Sequence, residues 1–63
     1  MHLLYAIERY LQRTNTPPSR FGREAVGDPR LVHDLRLGRE PRAATVARII
    51  NHMATSEAGN DDA

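Results

Sequence analysis

The chain has 63 residues, enough for one small domain and a modest core, so a single domain is expected. Cysteine is absent, which removes disulfides and cysteine-based metal sites as compensation for the small core. Formal net charge is +1, but Glu57, Asp61 and Asp62 fall in the last nine residues, leaving nine basic groups against five acidic ones, a net of +4, in residues 1–54.

All nine basic residues are arginine. The planar guanidinium fork bonds phosphate or guanine in a bidentate manner, which suits nucleic-acid contact, although coding bias in a GC-rich genome gives the same excess. No apolar run approaches the roughly 18 residues of a membrane span, and Met1-His2-Leu3-Leu4 lacks the charged flank and apolar core of a signal peptide. A cytoplasmic protein is expected.

Leu3, Leu4, Ile7, Tyr10 and Leu11 recur at spacings of three and four, with Glu8, Arg9, Gln12 and Arg13 between them, predicting an amphipathic helix over 3–13. Thr14-Asn15-Thr16-Pro17-Pro18 ends it, since the residue before a proline is pushed out of the α region. A second helix then starts, capped by Thr16 with Pro17 and Pro18 in its first turn, or capped by Ser19. It runs to about Ala25, with Phe21 and Ala25 facing inward. Glycine in a helix interior costs about 1 kcal/mol relative to alanine, so Gly22 points to a second backbone close by, or else to a weak, fraying helix.

Val26-Gly27-Asp28-Pro29 reads as a stop followed at once by a start: a glycine for positive φ, an aspartate to cap, a proline for the first helical position. The third helix is expected over 30–37, until Gly38 ends it. Leu31, Val32 and Leu35 form its buried stripe, while Arg30, His33, Asp34 and Leu37 fall mainly on the other side. Two short helices joined by so tight a turn make a helix-turn-helix, whose second helix can enter the DNA major groove.

Gly38-Arg39-Glu40-Pro41-Arg42 is a loop with two arginines, placed where a duplex backbone would pass. The last helix is expected from Arg42 or Ala43 to Ala54, burying Val46, Ile49, Ile50 and Met53. Residues 55–63 have no apolar periodicity and collect acid, glycine and asparagine, so a disordered acidic tail is expected beyond a domain of residues 1–54. There are no repeats, and no segment competes as a strand. The fold class expected is all-α, a compact four-helix domain.

These residues resemble the Cro and lambda-repressor-like helix-turn-helix regulators, the XRE family. Phe21 and Gly22 match the family's leucine and small residue, and Val32 and Leu35 stand where its isoleucine pair would. Gly38 follows Phe21 by seventeen residues, and Pro41 with Thr45 repeats the proline-to-threonine spacing. The likeness covers roughly residues 17–50. The chain differs in having Val26 where the family has glycine, a loop between Gly38 and Pro41 one residue shorter, and four helices where five are usual. The resemblance implies a lambda-repressor-like architecture in which Pro29, Arg30, His33 and Asp34 face base edges, Arg30 forking onto guanine. It implies that Asp34 accepts from cytosine or holds Arg30 or His33. Ser19, Arg20, Arg39 and Arg42 would contact phosphate, with Arg23 and Arg36 as further candidates.

His2, His33 and His52 have no metal-ligand spacing and are read as surface residues, and neither Ser19, Ser56 nor the threonines show a nucleophile with its base. No catalysis, metal or cofactor is expected. The expected function is a sequence-specific transcriptional regulator bound to double-stranded DNA, as a homodimer on paired half-sites, blocking or recruiting RNA polymerase. The rival is a helical interaction module, an antitoxin or adaptor, that docks a protein through an exposed Val46, Ile49, Ile50 and Met53 stripe.

Overall fold

The computed structural model describes residues 2–61, with side chains through residue 56. Four helices follow one another, α1 (Leu3–Thr14), α2 (Pro18–Val26), α3 (Leu31–Arg36) and α4 (Ala43–Asp61), and the described residues contain no strand. The all-α class expected from periodicity is what the chain adopts.

Each helix supplies one fully buried side chain: Ile7 from α1, Phe21 from α2, Val32 from α3 and Ile49 from α4. Tyr10, Leu11, Ala25 and Leu31 complete the core, with Leu3, Leu4, Val26, Leu35 and Met53 packed around it. Helix α2 is central, lying most extensively on α3 and next on α4.

Gly22 makes the α2–α3 packing possible. A Cβ there would run into the backbone carbonyl oxygen of Asp28 and come within 3.1 Å of the Leu31 Cβ. Of the two explanations open in the sequence, close backbone approach is the one realised. Five residues later the chain turns at Gly27, whose φ of 75° lies in the left-handed region. Its N–H returns to the Arg23 carbonyl at 3.0 Å and the Asp28 N–H to the Gly22 carbonyl at 3.1 Å, so two backbone bonds close α2. The glycine thus sits one residue later than in the resembled pattern, and Val26 remains helical.

Helix α1 also ends on a left-handed residue, Asn15 at φ 57°, and the Leu11 carbonyl accepts both its N–H and that of Thr16, the latter at 3.0 Å. Thr16 does not cap α2. The residue at that position is Pro17, with no side-chain cap bond, and Ser19 lies inside the first turn. The Thr14 hydroxyl donates to the Tyr10 carbonyl at 2.8 Å, so its 2.7 Å contact with Thr16 makes the Thr16 hydroxyl the donor and ties it to the end of α1.

Helix α3 is shorter than expected at both ends. Asp28 does not cap α3 and Pro29 is not its first residue: the cap position is Arg30, and Asp28 Oδ1 accepts the Arg30 N–H at 3.0 Å, holding Pro29 and Arg30 in a turn with Arg30 at φ −96° and ψ 4°. The helix therefore begins at Leu31. It closes with a Schellman arrangement in which the Gly38 N–H bonds the Leu35 carbonyl at 3.0 Å and the Arg39 N–H bonds that of Asp34 at 3.1 Å.

Helix α4 departs from expectation twice. Ile50 is 42% exposed, because α4 turns Ile49 inward with Val46 and Met53 beside it, and Ile50 lies a further 100° round the axis. The helix also runs seven residues past Ala54, to Asp61, since Ala54 to Ala58 contain no proline or glycine to stop it. The expectation for the acidic tail falls outside the described residues at 62–63 and at the side chains beyond 56. No described helix is long and apolar enough to cross a membrane.

Replacing Gly22 by alanine sets helix propensity against collision. Propensity favours alanine by about 1 kcal/mol, but the obstacle is backbone, and overpacking of this kind costs about 1 to 3 kcal/mol. The collision wins. Gly22→Ala is expected to lower the urea midpoint at unchanged slope, and a gain in stability would refute the close approach.

Candidate nucleic-acid interface

The outward side of α3 begins at the Pro29–Arg30 turn and ends at Leu37. Pro29, Arg30, His33 and Leu37 are all exposed, and Arg30, His33 and Leu37 follow at spacings of three and four on one side of the helix. The opposite side carries the buried Leu31 and Val32.

Asp34 behaves differently from its neighbours. Its carboxylate is only 20% exposed and accepts from Arg39 Nη1 at 3.2 Å, while its backbone carbonyl accepts the Arg39 N–H. Arg39 is thus its partner, and not Arg30 or His33. The reason is the Schellman turn at Gly38, which folds the loop back beside Asp34.

The arginines around α3 fall into two groups. Arg20 gives Nε to Glu24 one turn on at 3.0 Å, and Arg36 forms a two-bond pair with Glu8 at 2.7 and 2.8 Å, joining α3 to α1. Arg23, Arg30, Arg42 and Arg48 are exposed and have no carboxylate partner among the described residues. Arg36, a candidate phosphate ligand in the sequence, is instead held by Glu8. The hydrogen bond from Arg36 lowers the Glu8 pKa from its ordinary value and raises that of Arg36.

Ser19 and Arg20 lie exposed in the first turn of α2, where helical N–H groups lack intrahelical partners and no acidic side chain intervenes. Arg42 precedes α4 and its carbonyl accepts the Val46 N–H at 2.9 Å, so its side chain stands at the positive end of a 19-residue helix. Between α3 and this end lies a groove lined by Asp28, Leu31, Asp34, Leu35, Arg42 and Thr45. Its carboxylates and guanidinium groups are interleaved. Among the described residues no group of three or more histidines and carboxylates could hold a metal ion.

Two arrangements escaped the sequence. One is the Glu8–Arg36 pair, whose partners are 28 residues apart and carry no local signal. The other is an aromatic cluster. His52 is half-buried, edge-on to Phe21 at 5.5 Å and to Tyr10 at 6.4 Å, where a surface residue was expected. Its position three residues after Ile49, on the same side of α4, was the available clue.

The stripe invoked for the rival docking role is largely occupied within the chain. Ile49 is fully buried, and Val46 and Met53 are half-buried. No family model matches the chain, and neither does any curated protein or solved structure.

The Glu8–Arg36 pair predicts a pH signature. A carboxylate with a depressed folded pKa adds stability that is present above its unfolded pKa and is lost as pH falls through the folded one. Glu8→Gln is therefore expected to unfold at lower temperature than the parent at pH 7, with the gap closing below the carboxylate range. An equal gap at pH 7 and pH 3, read by circular dichroism melting, would show that the pair contributes nothing through its charge.

Proposed function

We propose that this chain is a sequence-specific DNA-binding regulator of transcription, of the helix-turn-helix kind it resembles, working in the cytoplasm on the nucleoid. The observation that carries the proposal is the outward face of α3, where Arg30, without a carboxylate partner among the described residues, and His33 are both exposed directly after a tight turn. Base edges in the major groove are read by such hydrogen-bonding tips, and an arginine fork on guanine O6 and N7 is the commonest specific contact. Pro29 sits at the entry to that face and fixes the turn from which Arg30 projects.

Phosphate contacts would come from the flanks. Ser19 and the free N–H groups of α2 serve one side, and Arg42 at the positive end of α4 the other. Arg20 and Arg39 keep this role despite their carboxylates, because each gives one N–H to its partner and a guanidinium has five. Asp34 holds Arg39 in place and is relieved of base reading. Two copies on adjacent half-sites supply the contacts that one short helix lacks, and occupancy of the operator blocks or recruits RNA polymerase.

Titration against duplex DNA at several salt concentrations tests this. Affinity should fall steeply with salt, with a logarithmic slope near −0.9 for each phosphate neutralised. Arg30→Ala should relax the choice of sequence by about 1 to 3 kcal/mol at one position, whereas Arg42→Ala should weaken all duplexes alike and reduce the slope by about 1. Absence of binding to any duplex at low salt ends the reading.

A further inference from the structure

Leu37 is 73% exposed, the most exposed large apolar side chain among the described residues, and it stands at the end of the face that presents Arg30 and His33. Single exposed leucines are common and need no purpose. This one is distinguished by how it is held and by what surrounds it. Its own N–H bonds the carbonyls of His33 at 3.2 Å and Asp34 at 3.1 Å, and the Schellman bonds of Gly38 and Arg39 close the chain immediately after it. The backbone under the side chain is therefore fixed, in a right-handed helical conformation at φ −82°.

The surroundings are charged or hydrogen-bonding throughout: Arg30, His33, Asp34, Arg36 and Arg39. The other large exposed apolar residues, Tyr5 and Ile50, belong to α1 and α4, so the α3 face has one apolar point in a polar field and no patch of the size a protein partner covers. A matching surface must be polar and anionic overall, with an isolated methyl group. The major-groove floor has this character, because the thymine C5-methyl is its apolar group among the donors and acceptors of the base edges.

We infer that Leu37 is a specificity-determining residue that packs on a thymine methyl in the major groove, a step that rests on the DNA-binding reading above. Leu37 closes the exposed face that Arg30 opens, with His33 between them, so the thymine lies on the far side of the reading face from the guanine that Arg30 forks. Arg30 and Leu37 then mark the two ends of one half-site.

Deoxyuridine differs from thymidine only in lacking the methyl, which isolates the contact. The probe is a duplex selected from a random pool by the full-length protein, compared with the same duplex carrying deoxyuridine at one thymidine at a time. The parent is expected to bind about fourfold less tightly when the contacted methyl is removed, the worth of one buried methyl group. Leu37→Ala, a surface substitution whose fold is checked by circular dichroism, is expected to bind both duplexes equally, while Arg42→Ala keeps the fourfold ratio. Indifference of the parent to every deoxyuridine, or a ratio that survives in Leu37→Ala, overturns the inference and leaves DNA binding intact. Failure to select any duplex overturns both.

Discussion

The absent side chain of Gly22 is the constraint on which the rest of the structure depends. Only there can the Asp28 carbonyl and the Leu31 side chain come against the axis of α2. A six-residue helix does not persist alone in water, because nucleation is unfavourable and six residues barely repay it. Helix α3 exists because Leu31 and Val32 are buried against its neighbours and because its ends are bonded by Asp28 and by Gly38 and Arg39. The direction in which Arg30, His33 and Leu37 project is consequently inherited from the α2 contact. Helices α1 and α4 close the remaining sides through Ile7 and Ile49.

Much of this was legible in the sequence because its signals are local. Apolar spacing located all four helices, Gly22 announced a close approach, and Gly27 and Gly38 marked the turns where φ is positive. The inward residues of α2 and α3 followed from periodicity alone. Features set by tertiary contact did not. The Glu8–Arg36 pair spans three elements, and the Asp34–Arg39 pair depends on how the chain folds back after Gly38. Ile50 shows a related limit: Ile49 and Ile50 both fit an apolar stripe, and only packing against α2 decides which of them turns inward. The cap of α2 failed for a chemical reason: a capping hydroxyl must accept a backbone N–H, Pro17 and Pro18 have none to give, and the Thr16 hydroxyl is bonded back to Thr14.

The ion pairs add little to stability, because each is exposed on at least one partner and exposed pairs contribute about 1 kcal/mol or less. Their effect is on placement. Glu8 draws Arg36 toward α1, Glu24 keeps Arg20 along α2, and Asp34 sets Arg39 at the end of α3. Arg30 and Arg42 are left without such anchors. The basic groups are thus distributed around α3 with their charge partly neutralised, which weakens a general attraction to phosphate. Under the proposed function, weaker general attraction leaves a larger share of binding to the contacts that discriminate between bases.

That distribution has a consequence for assembly. The outward face of α3 is short, a six-residue helix with Arg30 just before it and Leu37 just after it, so under the proposed function it would reach only a few base pairs. So few base pairs recur too often in any genome to define an operator. Under the proposed function, specificity at the level a regulator needs would come from two copies reading together, with half-sites set about one helical turn apart or a multiple of it. Under the proposed function the same economy gives Leu37 its place: Arg30 and His33 would meet donors and acceptors of the base edges, and an apolar side chain would answer to the thymine methyl.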